Sequence, residues 1–124
     1  MRQSLRLGVV STLCLLMVGL LPACGDKAPP PPDATAIAKA SELQPSDPAL
    51  AAIYERSCRT CHSHVEAKAP LAGYAPHWKP RLQQGMPVLL AHVRDGFQGM
   101  PARGYCNDCS DSDYEALIHF MAGQ

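Results

Sequence analysis

The residues of this chain best suited to chemistry form one short run, Cys58-Arg59-Thr60-Cys61-His62. The spacing of the cysteines brings both thiols to one edge of a flat ring, and the histidine follows the second cysteine directly. Two such thiols can form thioether bonds to the vinyl groups of a porphyrin, and the adjacent imidazole can then bind its iron. The run therefore predicts one covalently attached haem c, held by Cys58 and Cys61, with His62 as the proximal ligand.

A second protein ligand on the opposite face of the iron would determine what the haem can do. The candidates downstream of the attachment run are Met86, Met100, Met121, His64, His77, His92 and His119. Met86 and Met100 both occur in Gly-Met-Pro, but Met86 directly precedes a predicted helix, whereas Met100 lies in a glycine-rich loop. Because Pro101 favours an extended conformation for the residue before it, this loop predicts Met100 as the sixth ligand. We expect His77 to be exposed.

A neutral imidazole and a neutral thioether together favour Fe(II) and fill both axial positions of the iron. No position then stays open for oxygen or peroxide, so the pattern predicts a one-electron carrier and not an enzyme. One alternative is a haem-based enzyme subunit, or a gas or redox sensor, in which Met100 is displaced. A more remote alternative is a zinc-binding module without haem.

A second C-x-x-C pair, Cys106 and Cys109, is followed by Ser110 and so cannot be another haem site of the same kind. Combined with Cys58 and Cys61, it could form a structural zinc site, although the intervening segment is long for one. On its own, it could be a redox-active dithiol, but the βαβ pattern expected around such a pair is missing. A disulfide in a small exported domain is the simplest account.

The N-terminal residues have the organisation of an export signal. Arg2 and Arg6 precede an uncharged apolar stretch that is short for a membrane-spanning helix, so we interpret residues 1–23 as a signal peptide. The following Leu21-Pro22-Ala23-Cys24 resembles the lipobox of bacterial lipoproteins, which implies cleavage before Cys24 and lipidation of its thiol. We therefore expect a periplasmic protein anchored by lipid to a bacterial membrane. An ordinary cleaved signal or an uncleaved anchor is the alternative.

Composition limits the remaining possibilities. The chain has 11 basic and 11 acidic residues, and no concentrated basic face of the kind that binds nucleic acid. Four consecutive prolines at 29–32 and an alanine-rich stretch follow Cys24, so residues 24–45 are interpreted as a tether. Residues 46–124 then form a domain so small that a buried macrocycle would supply apolar volume that its own core lacks.

The domain is predicted to be all-α, with four helical segments and no sheet, since no stretch alternates with a period of two. The first begins after Asp47, with Pro48 in its first turn. The second is short and lies around Lys79–Gln84, with Pro80 near its start. The third runs from about Pro87 to Asp95, with Gly96 as its terminator. The fourth follows Ser110 as N-cap, and its apolar stripe consists of Tyr114, Leu117, Ile118 and Met121.

These motifs, taken together, resemble a class I cytochrome c, most closely one of the cytochrome c5 type, over residues 50–122. The resemblance is carried by Tyr54, the attachment run, Ala69-Pro70, Gly73, Trp78, Pro80-Arg81-Leu82, Gly99-Met100-Pro101, Gly104 to Cys109 and Tyr114 to Met121. It implies a small fold of about four helices around one haem. It also implies transient electron exchange with other redox proteins, whose identity neither the family nor this chain specifies.

The resemblance also implies roles for residues around the haem. Pro70 would accept a hydrogen bond from His62 through its backbone carbonyl, and Trp78 and Arg81 would contact the haem propionates. Cys106 and Cys109 would form a disulfide, as in members of the c5 type. Tyr74 departs from the family pattern, in which an acidic residue is expected after Gly73, so no role is implied for it.

Overall fold

The computed structural model describes residues 28–124. The predicted signal peptide and Cys24 lie outside these residues. The helices in chain order are α1 Ala34–Glu42, α2 Pro48–Ile53, a π-helix Tyr54–Cys58, α3 Arg59–His62, α4 Ala75–Leu82, α5 Met86–Asp95, a 3-10 helix Ala102–Tyr105 and α6 Asp111–Ala122. Within residues 28–124 there is no β-strand, only an isolated bridge between Phe97 and Met100. The prediction of an all-α fold is confirmed.

Three predicted helix boundaries are confirmed by their capping groups. Asp47 caps α2 by accepting a hydrogen bond from the Leu50 amide at 2.8 Å. Gly96 ends α5 with a φ of 84°, a conformation that glycine adopts without steric cost. Ser110 and Asp113 form a reciprocal capping box at the start of α6. Local sequence signals therefore fix the starts or ends of these helices.

The second predicted helix, Lys79–Gln84, is wrong in its bounds, because α4 spans Ala75–Leu82. The helix begins with Ala75 and Pro76, and proline is well suited to a first helical turn. Pro80, which we expect near the start, lies inside the helix instead. This early start is important because it places His77 and Trp78 on the same short helix as Arg81.

The chain between α2 and α3 contains a π-helical turn over Tyr54–Cys58, which no sequence signal indicated. In such a turn, the backbone hydrogen bonds reach one residue further than in an α-helix, so one extra residue is accommodated. The Arg59 amide accordingly donates to the Tyr54 carbonyl. Cys58 is the last residue of this turn, and α3, which contains the second cysteine, follows it directly.

The main core is formed by side chains of the π-helix, of the loop before α4, and of helices α4, α5 and α6. The buried side chains of its largest cluster are Tyr54, Ala72, Trp78, Leu89, Leu117, Ile118, Met121 and Ala122. The rings of Tyr54 and Phe120 meet edge to face with centroids 5.0 Å apart, which joins the π-helix to α6. The predicted apolar stripe of α6 is confirmed, since Tyr114, Leu117, Ile118 and Met121 are all buried.

The alanine-rich stretch of the interpreted tether forms helix α1, and it contacts the domain. Ala40 is fully buried, and Leu43 packs against the main core. Arg59 donates to the Ser41 carbonyl at 2.7 Å, and the Tyr74 hydroxyl lies 3.1 Å from the Pro30 carbonyl oxygen. The segment from residue 30 to residue 43 is therefore held against the domain at both ends. Among residues 28–124, no helix has the length and apolar character needed to cross a bilayer.

Candidate haem site

Both cysteines of the attachment run have free thiols and are partly exposed. Cys58 ends the π-helix and packs against the main core, whereas Cys61 lies in α3. Burial raises the pKa of the Cys58 thiol to about 11, with the nearby Arg56 acting in the opposite sense. Before haem is attached, Cys58 is therefore a protonated thiol at neutral pH.

The imidazole of His62 is buried, and its orientation is fixed by one hydrogen bond. Its Nδ1 lies 2.8 Å from the Pro70 carbonyl oxygen. A carbonyl can only accept, so Nδ1 carries the proton and Nε2 is left with a free lone pair. Burial lowers the pKa of His62, and Arg81 acts in the same direction while the Pro70 bond opposes it. The result is a neutral imidazole with one nitrogen available to a metal.

The loop that supplies the Pro70 carbonyl is held by two side chains of α4. The Leu71 amide donates to His77 Nδ1 at 3.1 Å, and the Trp78 indole N–H donates to the Leu71 carbonyl at 2.8 Å. Leu71 itself is fully buried. Sequence reasoning missed the role of His77, which we expected to be exposed and which is half-buried. No spacing signal identifies it, because the bond joins a side chain to a backbone amide.

Trp78 and Arg81 differ in whether they have a donor to spare for a propionate. The only polar hydrogen of the Trp78 side chain is donated to the Leu71 carbonyl in a buried bond. This argues against the hydrogen bond to a propionate that the resemblance implied for Trp78. Arg81 donates to the His77 carbonyl, and within residues 28–124 it forms no ion pair with a carboxylate. Its remaining N–H groups are compatible with an anionic group of a haem.

Met100 lies in the loop that sequence analysis selected. Its backbone N–H and C=O pair with Phe97 at 2.9 and 3.1 Å, which closes a tight turn. A Cβ placed on Gly104 would come within 3.2 Å of the Met100 methyl carbon, so that methyl lies against a position that only glycine leaves open. Met100 is half-buried and belongs to neither core cluster. Its thioether is thus positioned by the loop and not used in core packing.

The structure argues against the zinc-module alternative. Cys106 and Cys109 are joined by a disulfide and cannot supply thiolates to a zinc site shared with Cys58 and Cys61. Among the described residues, the metal-ligating atoms of three or more side chains converge only at Cys106, Asp108 and Cys109, and both thiols there are oxidised. The attachment run does not form such a cluster. Free thiols, one open imidazole nitrogen and a thioether fit a haem instead.

The apolar surroundings of the run also fit a flat macrocycle. Side chains that pack against the main core while remaining partly exposed include Cys58, Leu82, Met86, Leu90 and Val93. Tyr54 Oη and Ser57 Oγ are buried without a hydrogen-bond partner among the described residues. In a small domain, these are signs of a core that is completed by a further group.

Comparisons with known proteins agree with this chemistry. A family model described as cytochrome C oxidase, cbb3-type, subunit III, matches residues 46–121, which is more than half of the chain. Helices α2 to α5, all of α6 except Ala122, and every residue of the candidate haem site fall inside the matched range. The chain therefore belongs to this family of c-type cytochromes.

Individual relatives also belong to the class of c-type cytochromes. Cytochrome c5 of Azotobacter vinelandii is 36% identical over 73 residues, which cover 57% of this chain and 88% of the relative. Cytochrome c-555 of Chlorobaculum tepidum is 35% identical over 77 residues, which cover 59% of this chain and 71% of the relative. A chain in the crystal structure of the electron transfer complex of nitrite reductase with cytochrome c matches with a TM-score of 0.54 and 35% identity. That match covers 62% of this chain and 94% of the other.

The family and the relatives together define the protein as a monohaem class I cytochrome. It carries covalently bound haem c and transfers electrons; it is not an enzyme. The similarity to cytochrome c5 stated from the sequence motifs is confirmed.

Proposed function

We propose that the protein transfers single electrons through a haem attached at Cys58 and Cys61, with His62 and Met100 as the two iron ligands. The bound haem supplies an Fe(III)/Fe(II) couple. The observation that carries the proposal is the His62–Pro70 hydrogen bond, because it leaves one neutral nitrogen, Nε2, free for the iron. A thioether on the opposite face leaves no position for an external ligand.

The structure favours Met100 over Met86 as the sixth ligand. Met86 is the first residue of α5 and packs against the main core. Met100 lies between the Phe97 turn and the 3-10 helix, in a segment fixed by backbone hydrogen bonds and free of core packing. A ligand must be held in place by its backbone while its sulfur stays available, and Met100 meets both conditions.

We further propose that the protein is exported and anchored by lipid at Cys24. The contact between Tyr74 and Pro30 supports a short attachment. Position 30 is six residue steps from position 24, and an extended chain spans at most about 3.6 Å per residue. Pro30, which contacts Tyr74, therefore lies within about 22 Å of the lipidated residue. An anchored domain would be kept near the bilayer, where electron donors and acceptors of membranes are within reach.

The redox partner is proposed to dock transiently near the attachment run. Arg59, Ala69 and Pro101 are each half-buried and flank the residues that hold the haem in this proposal. The related cytochrome solved with nitrite reductase suggests a reductase as one class of acceptor. Weak redox encounters use small interfaces, so a rim of mixed apolar and polar residues is sufficient.

A visible spectrum of the holoprotein, recorded with and without carbon monoxide, tests this function against a sensor or haem enzyme. We expect a low-spin reduced spectrum that carbon monoxide leaves unchanged at neutral pH, and a reversible one-electron redox titration. A shift on adding carbon monoxide would show an open or labile sixth position and would favour the alternative of a sensor or enzyme subunit.

A pair of variants tests the sixth ligand. Met100→Ala should keep the covalent haem, lose the low-spin state and lower the reduction potential, because the soft sulfur that favours Fe(II) is removed. Met86→Leu is the matched control and should keep both the spectrum and the potential. If Met100→Ala retains a high-potential low-spin iron, another residue binds the metal.

The anchor is tested separately, on the chain expressed with its own N-terminus. Wild-type protein should partition with membranes and carry the mass of added acyl chains, whereas Cys24→Ser should be released by washing. An unlipidated wild-type protein would contradict the anchor without affecting the electron-transfer proposal.

A further inference from the structure

One peptide group lies between two imidazoles. The peptide that joins Pro70 to Leu71 accepts a hydrogen bond from His62 Nδ1 at its carbonyl oxygen, at 2.8 Å. The N–H of the same peptide donates to His77 Nδ1 at 3.1 Å. The carbonyl and the N–H belong to one conjugated unit, so a hydrogen bond formed by the N–H changes the charge on the carbonyl oxygen.

The two bonds fix the protonation of both rings. A carbonyl oxygen can only accept, so His62 is protonated at Nδ1. A backbone N–H can only donate, so His77 is unprotonated at Nδ1 and holds its proton at Nε2. His62 therefore donates to the Pro70–Leu71 peptide, and that peptide donates in turn to His77, which is the final acceptor.

We propose that His77 is a positioning residue that tunes the iron ligand His62 through the Pro70–Leu71 peptide. An acceptor at the peptide N–H increases the negative charge on the carbonyl oxygen, since successive hydrogen bonds polarise one another. A more negative oxygen strengthens the bond from His62 Nδ1 and makes its imidazole a stronger electron donor. A stronger donor stabilises Fe(III) and lowers the reduction potential. This inference rests on the proposed role of His62 as ligand.

Contacts from its own helix and from the preceding loop hold His77 in place. The ring of Tyr74 meets it edge to face at 4.8 Å, and Arg81 donates to the His77 carbonyl. Burial, and to a lesser degree Arg81, lower the pKa of His77, so the ring is neutral and able to accept at neutral pH. Trp78 donates to the carbonyl of the following peptide, that of Leu71, which also restrains this stretch of backbone.

Three variants of the holoprotein test the proposal by redox titration at neutral pH. His77→Leu removes the acceptor and should shift the reduction potential upward. His77→Asn places a carbonyl oxygen close to the position of Nδ1 and should restore much of the wild-type value. His119→Leu is the matched control, because His119 lies on the partly exposed face of α6, near Glu115 and Gln124, and should leave the potential unchanged.

Two measurements separate tuning from a loss of structure. The Leu71 amide should exchange with solvent slowly in wild type and in His77→Asn, and faster in His77→Leu. Nitrogen NMR of the wild-type protein should show the Nε2–H form of His77. The Nδ1–H form in wild type would overturn the proposal even if His77→Leu does not fold. An unchanged potential in a folded His77→Leu would also overturn it.

These outcomes are distinct from those that test the proposed function. If carbon monoxide binds to the wild-type protein, the ligand set is wrong whatever the variants of His77 show. If the wild-type spectrum is low-spin and inert while His77→Leu and His77→Asn both keep the wild-type potential, only the role of His77 is wrong.

Discussion

One guanidinium nitrogen of Arg56 donates to both carboxylate oxygens of Asp108, at 3.0 and 2.8 Å. Arg56 lies in the π-helix that ends at Cys58, and Asp108 lies between the two cysteines of the disulfide. The pair therefore connects the π-helix to the disulfide loop. Both side chains are exposed, so solvent weakens the attraction and the pair contributes little to stability.

The disulfide is expected to stabilise the domain without affecting the haem. Cys106→Ser opens a loop of only four residues, and the loop-entropy estimate gives a loss of about 2 kcal/mol in the free energy of unfolding. Cys106 is buried, and its carbonyl accepts from the buried Tyr114 hydroxyl at 2.6 Å, which ties the loop to α6. Chemical denaturation of the holoprotein measures the loss.

Asp108→Asn is the control for this variant, because it weakens the exposed ion pair and keeps the disulfide. We expect it to change the stability much less than Cys106→Ser does, and to leave the visible spectrum unchanged, as Cys106→Ser should. A change of spin state in Cys106→Ser would mean that the disulfide loop helps to position the haem ligands.

Gly104 is expected to control the position of the Met100 side chain. Its φ of +54° disfavours other residues, and a Cβ there would lie 3.2 Å from the Met100 methyl. Gly104→Ala should therefore displace that methyl and weaken the iron–sulfur bond, which is detected as loss of the iron–methionine charge-transfer band. Gly99→Ala is the control, because a Cβ at Gly99 meets nothing within 4 Å. Equal behaviour of the two variants would show that Met100 is not the ligand or that it adjusts freely.

The segment before residue 46 is expected to contribute to stability. Leu43 packs against the main core, and its Cδ2 would lie 3.2 Å from a Cβ placed on Gly73. Leu43→Ala should lower the free energy of unfolding by about 1–3 kcal/mol, less than for a fully buried leucine. Glu42→Ala changes the exposed neighbour and should have little effect. If both variants have the same free energy of unfolding as the wild type, the segment does not pack against the domain in solution.

Local signals in the sequence predicted the helices well wherever a cap marks a boundary. Asp47 and Ser110 each accept a hydrogen bond from a backbone N–H at a helix start, and Gly96 ends α5 with a positive φ. All three signals depend only on neighbouring residues. Pro80 misled the prediction of α4, because a proline inside a helix resembles a proline at its start. The π-helical turn at Tyr54–Cys58 was missed, since no residue type marks it.

In the candidate site, too, some features could be predicted from the sequence and others could not. The attachment run and Met100 were visible from residue type and spacing. The bonds that fix the site join distant residues through the backbone, as in the Leu71 amide to His77 and the Ser41 carbonyl to Arg59. Neither bond depends on the identity of the residue whose backbone takes part, so the sequence carries no mark of either.

The capping box of α6 predicts how acid affects stability. The Ser110 hydroxyl and the Ser110 amide both donate to the Asp113 carboxylate, at 2.6 and 2.8 Å, and they lower the pKa of Asp113 below its usual 3.8. Because the folded state holds the charged form more strongly, this contribution is complete above the usual pKa and is lost as the pH falls below it. Asp113→Asn should therefore be less stable than wild type at pH 7, and the difference should shrink below about pH 4. Unfolding curves of the wild type and of Asp113→Asn across this range measure the difference. A difference that persists undiminished in acid would mean that the variant disturbs the helix by a route other than the carboxylate charge.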